Sequence, residues 1–391
     1  MTPASSPEKI PLWRDARFLK LAFQVGLIAI LIGVFLLMVG NMNRNLAQQG
    51  RQFEFGFLLQ RAGFNIGESI LPYASNDPYY WAFVVGLANT IRLILVSFVV
   101  TTVVGVIAGI LSFSDNWLLR KLNLLYVEIV RNTPPLLQFA FWYFVVFFGL
   151  SQGTGISKLP GSILITKKGI WVPWPANTPV AWLSFGALVL VAIAIFLIWR
   201  WRIKLMETQG VAAKPQQMLL FGLSTLWLLL LIFGLQWTFP QITDAAANDV
   251  GGGLRMSLEY GAMMMGLSFY TGAFIAEIVR AGIQSVSQGQ WEAARSLGLP
   301  NGLLMRLVVF PQALRVIIPS LNSQYITLTK NSSLALAIGY PDLFGSALTT
   351  LNQTGRAVEV VLLMVISYLA LNLIISLIMN QLNHLVQVQE R

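Results

Sequence analysis

Five unbroken apolar runs, Leu21–Gly40, Leu93–Phe113, Val180–Trp199, Met218–Thr238 and Val360–Asn380, decide what this chain can become. A hydrocarbon layer about 30 Å thick takes about 20 helical residues, so each run is long enough to be one membrane span. Three further stretches, 124–150, 257–282 and 316–337, have the length but carry charge: Glu128 and Arg131, Glu259 and Glu277, and Lys330. Eight spans are expected, and the chain reads as an all-α integral membrane protein. Composition agrees, since 56% of the 391 residues are hydrophobic and 11% charged, where soluble chains run about 45–50% and about 25%. The first run is too long for a signal peptide and no A-x-A site follows it, so it is read as an uncleaved helix.

Lys and Arg number 26 against 16 Asp and Glu. On a soluble protein that excess suggests nucleic acid, but here cytoplasmic loops account for it. With the N-terminus inside, fifteen basic residues fall on cytoplasmic segments, among them Lys9, Arg14, Arg120, Arg200, Arg202, Lys204, Lys214 and Arg391. Eight fall outside, three of them (Lys158, Lys167 and Lys168) in one loop. The bias puts both termini in the cytoplasm, with lipid rather than nucleic acid as the surrounding partner. The chain has no Cys and one His, His384, which excludes thiol nucleophiles and Cys- or His-built metal cages. Trp171, Trp174 and Trp182 at one end of a span, with Trp199 and Trp201 at the other, read as an interfacial belt.

Charged groups inside a span cost about 2.5–3.5 kcal/mol each for Lys, Arg or Asp at mid-span, and usually face a cavity or a partner. Arg92, Glu128, Arg131, Glu277 and Lys330 are the candidates. Glu128 and Arg131 are three apart and can simply pair, and Arg92 reads first as structural. The external loops 41–83 and 151–179 are long enough to be functional.

The cytoplasmic segment 281–319 holds Gln288-Gly289-Gln290-Trp291-Glu292-Ala293-Ala294-Arg295-Ser296-Leu297-Gly298. Ser287 suits an N-cap, and Gly298 the left-handed position past a helix end, which describes a short helix outside the membrane. Its adjacent alanines would let another surface approach closely, and Glu292 can pair with Arg295 or reach outward. Pro300-Asn301-Gly302 then turns the chain, and Pro311 and Pro319 kink the helix that follows.

Glu292-Ala293-Ala294, with Gly298 and then Pro311, resembles the EAA loop of ABC importer permeases. The wording Gly289-Gln290-Trp291-Glu292-Ala293-Ala294 and Phe310-Pro311-Gln312-Ala313 is similar to the polar amino-acid branch of that family. So are Tyr126–Gln138, Tyr270–Arg280, Lys330–Leu334 and Gly339–Leu343, in family order. The resemblance implies a five-helix type I permease core in two parts, 84–150 and 256–391. To that core are added an N-terminal helix and external loop (1–83) and an insertion carrying two spans (151–255), as in large permeases of general amino-acid importers. It implies coupling to a cytoplasmic ATPase through Glu292, Ala293, Ala294, Arg295, Gly298 and Pro311. Arg131, Thr133, Gln138, Tyr270, Glu277, Lys330, Asn331 and Ser332 are the candidate translocation path for an amino acid. No G-x-x-x-x-G-K-[ST] loop is present, so the chain is not itself an enzyme, and ATP and Mg would be held by the partner. The further implied partners are a second related permease chain and a periplasmic or lipid-anchored binding protein, at a bacterial inner membrane. A secondary amino-acid transporter is the rival reading; it would call for coupling-ion sites and commonly repeat symmetry, neither of which is evident.

Overall fold

The computed structural model describes residues 16–48, 50–152, 156–209, 214–244 and 248–386. Eight helices among them are long and apolar enough to cross a membrane: Phe18–Gln48, Tyr79–Leu111, Pro135–Gln152, Pro179–Met206, Lys214–Gly234, Leu258–Gln284, Asn301–Ile338 and Ala357–His384. They are called spans one to eight below. Lys9, Arg14 and Arg391, used above for orientation, lie outside the described residues.

Several boundaries differ from the sequence reading, span seven among them, which begins at Asn301 rather than 316. The stretch 124–150 is not one span, because the chain breaks at Thr133-Pro134-Pro135 between an amphipathic helix, Trp117–Asn132, and span three. Proline disfavours helical backbone in the residue before it, and Thr133 is extended at ψ 138°. Arg131 therefore sits in the last turn of a separate helix, not within a span. Span two, in turn, begins at Tyr79, well before the apolar run Leu93–Phe113, and takes in Asn89 and Thr90 together with Arg92.

The bundle is built on spans two and six. Gly105 and Gly109 of span two lie against Ile275 and Val279 of span six, where a Cβ would come within 3.0 Å of the Gly272 and Ala276 carbonyl oxygens. Lipid offers no hydrophobic drive for helix association, so close backbone approach over small residues supplies the packing instead. Around this seam a core forms from Leu93, Phe139, Met263, Leu267, Leu328 and Tyr340. A second cluster at the other end joins Ile275, Val279 and Ile283 of span six to Leu304, Ala313 and Ile317 of span seven.

The chain is not wholly helical. β1 (Ile156–Leu159), β2 (Ile163–Thr166) and β3 (Gly169–Val172) run antiparallel. Beyond them come β4 (Trp174–Pro175), β5 (Trp237–Thr238), β6 (Gln241–Asp244), β7 (Asp249–Gly251) and β8 (Leu254–Met256). β8 returns to pair with β3, Trp171 opposite Arg255. Ile165 and Ile170 carry this sheet onto the core, with Gly261 making room for the Ile170 side chain. Trp171 is buried here and takes no part in an interfacial belt, whereas Trp174, Trp182, Trp199 and Trp201 are exposed. Spans four and five lie between β4 and β5 and pack chiefly on each other.

Gly109→Leu is expected to wedge spans two and six apart, at the roughly 1–3 kcal/mol typical of overpacking. Thermal unfolding in detergent would show a lowered midpoint, while Gly33→Leu, at a position with no neighbour within 4 Å, would leave it unchanged.

Candidate functional site: the cytoplasmic helix and the polar face of span seven

The helix Gln288–Ser296 forms where the sequence places it, and its two faces do different things. Ser287 stands at the N-cap position, though its side chain makes no capping bond. At the other end Gly298 has φ +73°, its N–H donates to the Arg295 carbonyl at 2.9 Å, and the Leu299 N–H donates to Ala294 at 3.2 Å. That pair of bonds is a Schellman ending, which requires the left-handed backbone glycine adopts without strain.

The adjacent alanines do not share a face, which corrects the sequence reading. Ala294 is buried and packs with Trp291, Leu304 and Val309 onto the ends of spans six and seven. Gly289, Glu292, Ala293 and Ser296 are exposed, and their i, i+3, i+4, i+7 spacing makes one outward stripe. Leu297 extends it, 80% exposed. Arg295 is exposed as well. Gln312 Nε2 donates to Gln290 Oε1 at 3.3 Å, tying the helix to span seven. Pro311 follows a π-helical stretch, Met305–Val309, whose wider turn accommodates the proline ring and the carbonyl left without its donor.

The candidate path residues divide into three groups. Arg131 pairs with Glu277 of span six at 3.8 Å and not with Glu128, while Glu277 also pairs with Arg280. Glu128 instead accepts from Asn132 Nδ2 at 3.2 Å. Arg131 also lies 5.5 Å from the ring centre of Phe274, whose ring neighbours Tyr270 at 5.1 Å. Thr133 and Gln138 fasten the helix break: Gln138 Nε2 donates to the Val130 carbonyl at 2.8 Å and to Thr133 Oγ1 at 2.9 Å. Lys330 and Ser333 line a cavity of about 400 Å³ with Phe344, Tyr368 and Asn372. Ser332 turns away from it, fully buried with its hydroxyl donating to the Thr329 carbonyl at 2.8 Å. Asn331 is half-buried beside it.

Below Lys330 runs a feature the sequence reading passed over. Ser320, Ser323 and Thr327 continue the Lys330 face down span seven, each hydroxyl donating to a carbonyl three or four residues back. A spanning helix with one polar, open face lines water or another protein rather than lipid. The spacing was present in the sequence, where apolar averaging over the window hides it.

Arg92 belongs to the scaffold at the end of the bundle opposite the Gln288–Ser296 helix. It pairs with Glu68 of the 50–78 loop at 2.5 Å and lies 4.0 Å above the Tyr260 ring. Glu68 Oε2 accepts the Ser257 N–H at 2.9 Å at the start of span six, and Asn89 Nδ2 donates to the carbonyls of Glu68 and Pro341, each at 2.8 Å. Asp342 caps the helix Leu343–Thr354 by accepting the Gly345 N–H at 2.8 Å, and burial pushes its carboxyl up to about 7.

A model of the family described as "Binding-protein-dependent transport system inner membrane component" matches residues 101–388. The chain belongs to this family. It is 40% identical over 378 residues to the putative amino-acid ABC transporter permease protein YhdX of Escherichia coli K12, covering 94% of each chain. The general L-amino acid transport system permease protein AapQ of Rhizobium johnstonii is 40% identical over 381 residues, covering 96% of this chain and 94% of the relative. The glutamate/glutamine/aspartate/asparagine transport system permease protein BztB of Rhodobacter capsulatus is 36% identical, covering 96% of both. The protein is thus a multi-pass inner-membrane permease of an ABC importer, and the secondary-transporter reading falls.

One expected outcome concerns the permease's scaffold at the Arg92 end. From the ordinary carboxyl value of 3.8 up to about 7, the folded chain holds a proton on Asp342 that the unfolded chain has released. Stability therefore falls as pH rises through that window. Asp342→Asn, which keeps an acceptor for Gly345, flattens the dependence of melting temperature on pH; an unaltered slope would mean that Asp342 is ionised in the fold.

Proposed function

We propose that this permease carries amino acids inward as part of a complex with an ATP-binding subunit, a second related permease chain and an external amino-acid-binding protein. The relatives' names support the substrate class, and the outward stripe of the Gln288–Ser296 helix carries the coupling step. Gly289 and Ala293 leave room for a close-fitting groove, Glu292 offers a polar contact, and Gly298 fixes the helix end. Trp291 and Ala294 on the opposite face transmit displacement to spans six and seven. ATP and Mg are held by the partner ATPase. Closure of that partner moves the helix, and with it the two spans, between inward-open and outward-open arrangements.

The path runs along the open face of span seven. Lys330 is a cation without an ion-pair partner among the described residues, suited to a substrate carboxylate. Arg131, Glu277 and Tyr270 border the cytoplasmic part, Thr133 and Gln138 hold Arg131's helix in place, and Asn331 and Ser332 set the turn beside Lys330. Both termini are placed in the cytoplasm, the orientation that the positive-charge bias favours. Domain boundaries follow the same reading: 1–83 and 151–255 are additions to a core of 84–150 and 256–391.

Purified complex reconstituted with its binding protein tests the scheme. ATP hydrolysis rises when the binding protein is loaded with an amino acid, and no rise would overturn it. Gly298→Val strains the left-handed position by about 1–2 kcal/mol and leaves ATP hydrolysis running while uptake falls; normal coupling in that variant counts against the helix as the contact. Lys330→Ala lowers uptake without loss of complex assembly, and unchanged uptake removes Lys330 from the path.

A further inference from the structure

Spans four and five form a hairpin that packs on itself, with 11% and 0% of their apolar windows buried. Its flanks therefore meet lipid along most of their length. At the end of this hairpin away from the sheet, span four closes a cleft of about 600 Å³ lined by Phe196, Trp199, Arg200, Trp201, Ile203 and Lys204. Two cations, Arg200 and Lys204, line it four residues apart on one helix face. Arg200 stands 5.8 Å from the Phe196 ring centre, so its guanidinium is held over an apolar wall. Arg202 is turned to the other side of the helix, donating from Nη2 to Gln217 Oε1 of span five at 3.3 Å.

We infer that this cleft is a binding site for an anionic phospholipid. The phosphodiester meets Arg200 and Lys204, which line the cleft one helical turn apart, and the acyl chains lie along Phe196, Trp199 and Ile203. Aromatic and aliphatic walls beneath a cationic rim match a molecule that is charged at one end and apolar at the other. A soluble phosphate would satisfy the two cations but leave the apolar wall uncovered, so lipid is the occupant. Held there, the lipid anchors a hairpin that the protein core does not.

The full complex in nanodiscs of phosphatidylglycerol and phosphatidylcholine, with a photoactivatable phosphatidylglycerol, provides the test. Cross-links map to the peptide 196–204, compete with added phosphatidylglycerol, and do not compete with glycerol phosphate. Basic groups near a membrane are worth about 1 kcal/mol each, so Arg200 and Lys204 together correspond to roughly thirtyfold preference over phosphatidylcholine. R200Q/K204Q loses that preference, and Trp199→Ala weakens labelling with the charges intact. Equal labelling by a phosphatidylcholine probe, competition by glycerol phosphate, or cross-links that map elsewhere would each overturn the assignment.

Discussion

Two backbones brought into close contact hold this bundle together. A membrane interior gives helices no reason to associate through apolar area alone, since lipid tails are as apolar as Leu. The chain meets that constraint with Gly105 and Gly109 on span two, which bring it against the carbonyls of Gly272 and Ala276 on span six. Gly266 and Gly282 repeat the device toward Phe139 and Ile317, so span six is approached closely from three directions.

Span six consequently connects the two ends of the molecule. One end is fixed by Ser257, whose N–H is held by Glu68 and whose hydroxyl caps the Tyr260 N–H. The other end passes Ile275, Val279 and Ile283 into the cluster that seats Trp291 and Ala294 of the cytoplasmic helix. Displacement of that helix acts on a rigid rod rather than on a loop. The Asn89, Glu68 and Tyr340 contacts give the Ser257 end a fixed reference.

The span count was legible because a run of about 20 apolar residues has few alternatives. The cytoplasmic helix was legible for the same kind of reason, since Gly298 has a conformation it alone favours. Other features depended on partners remote in the chain. Glu68 and Arg92 pair across a loop, and no local pattern announces it. β1 to β3 are four residues each within a Gly- and Pro-rich stretch, and β3 acquires its neighbour β8 only after two intervening spans. The orientation of Ala294 was available in principle, because it shares a helix face with Trp291. Reading the alanines as a pair rather than by helical period put both outward. At Thr133, the local preference imposed by Pro134 won over the apolar average of the window.

The pairing of Ile170, Trp171 and Val172 with Met256, Arg255 and Leu254 has a topological meaning. The polypeptide leaves the core at β3 and comes back to it at β8, on adjacent strands whose Cα atoms in such pairs lie about 5 Å apart. Everything between them, two membrane crossings included, is a closed side branch hung from a single doorway. A lineage could gain or shed that branch by one splice at the doorway, with the through-route of the chain left unaltered.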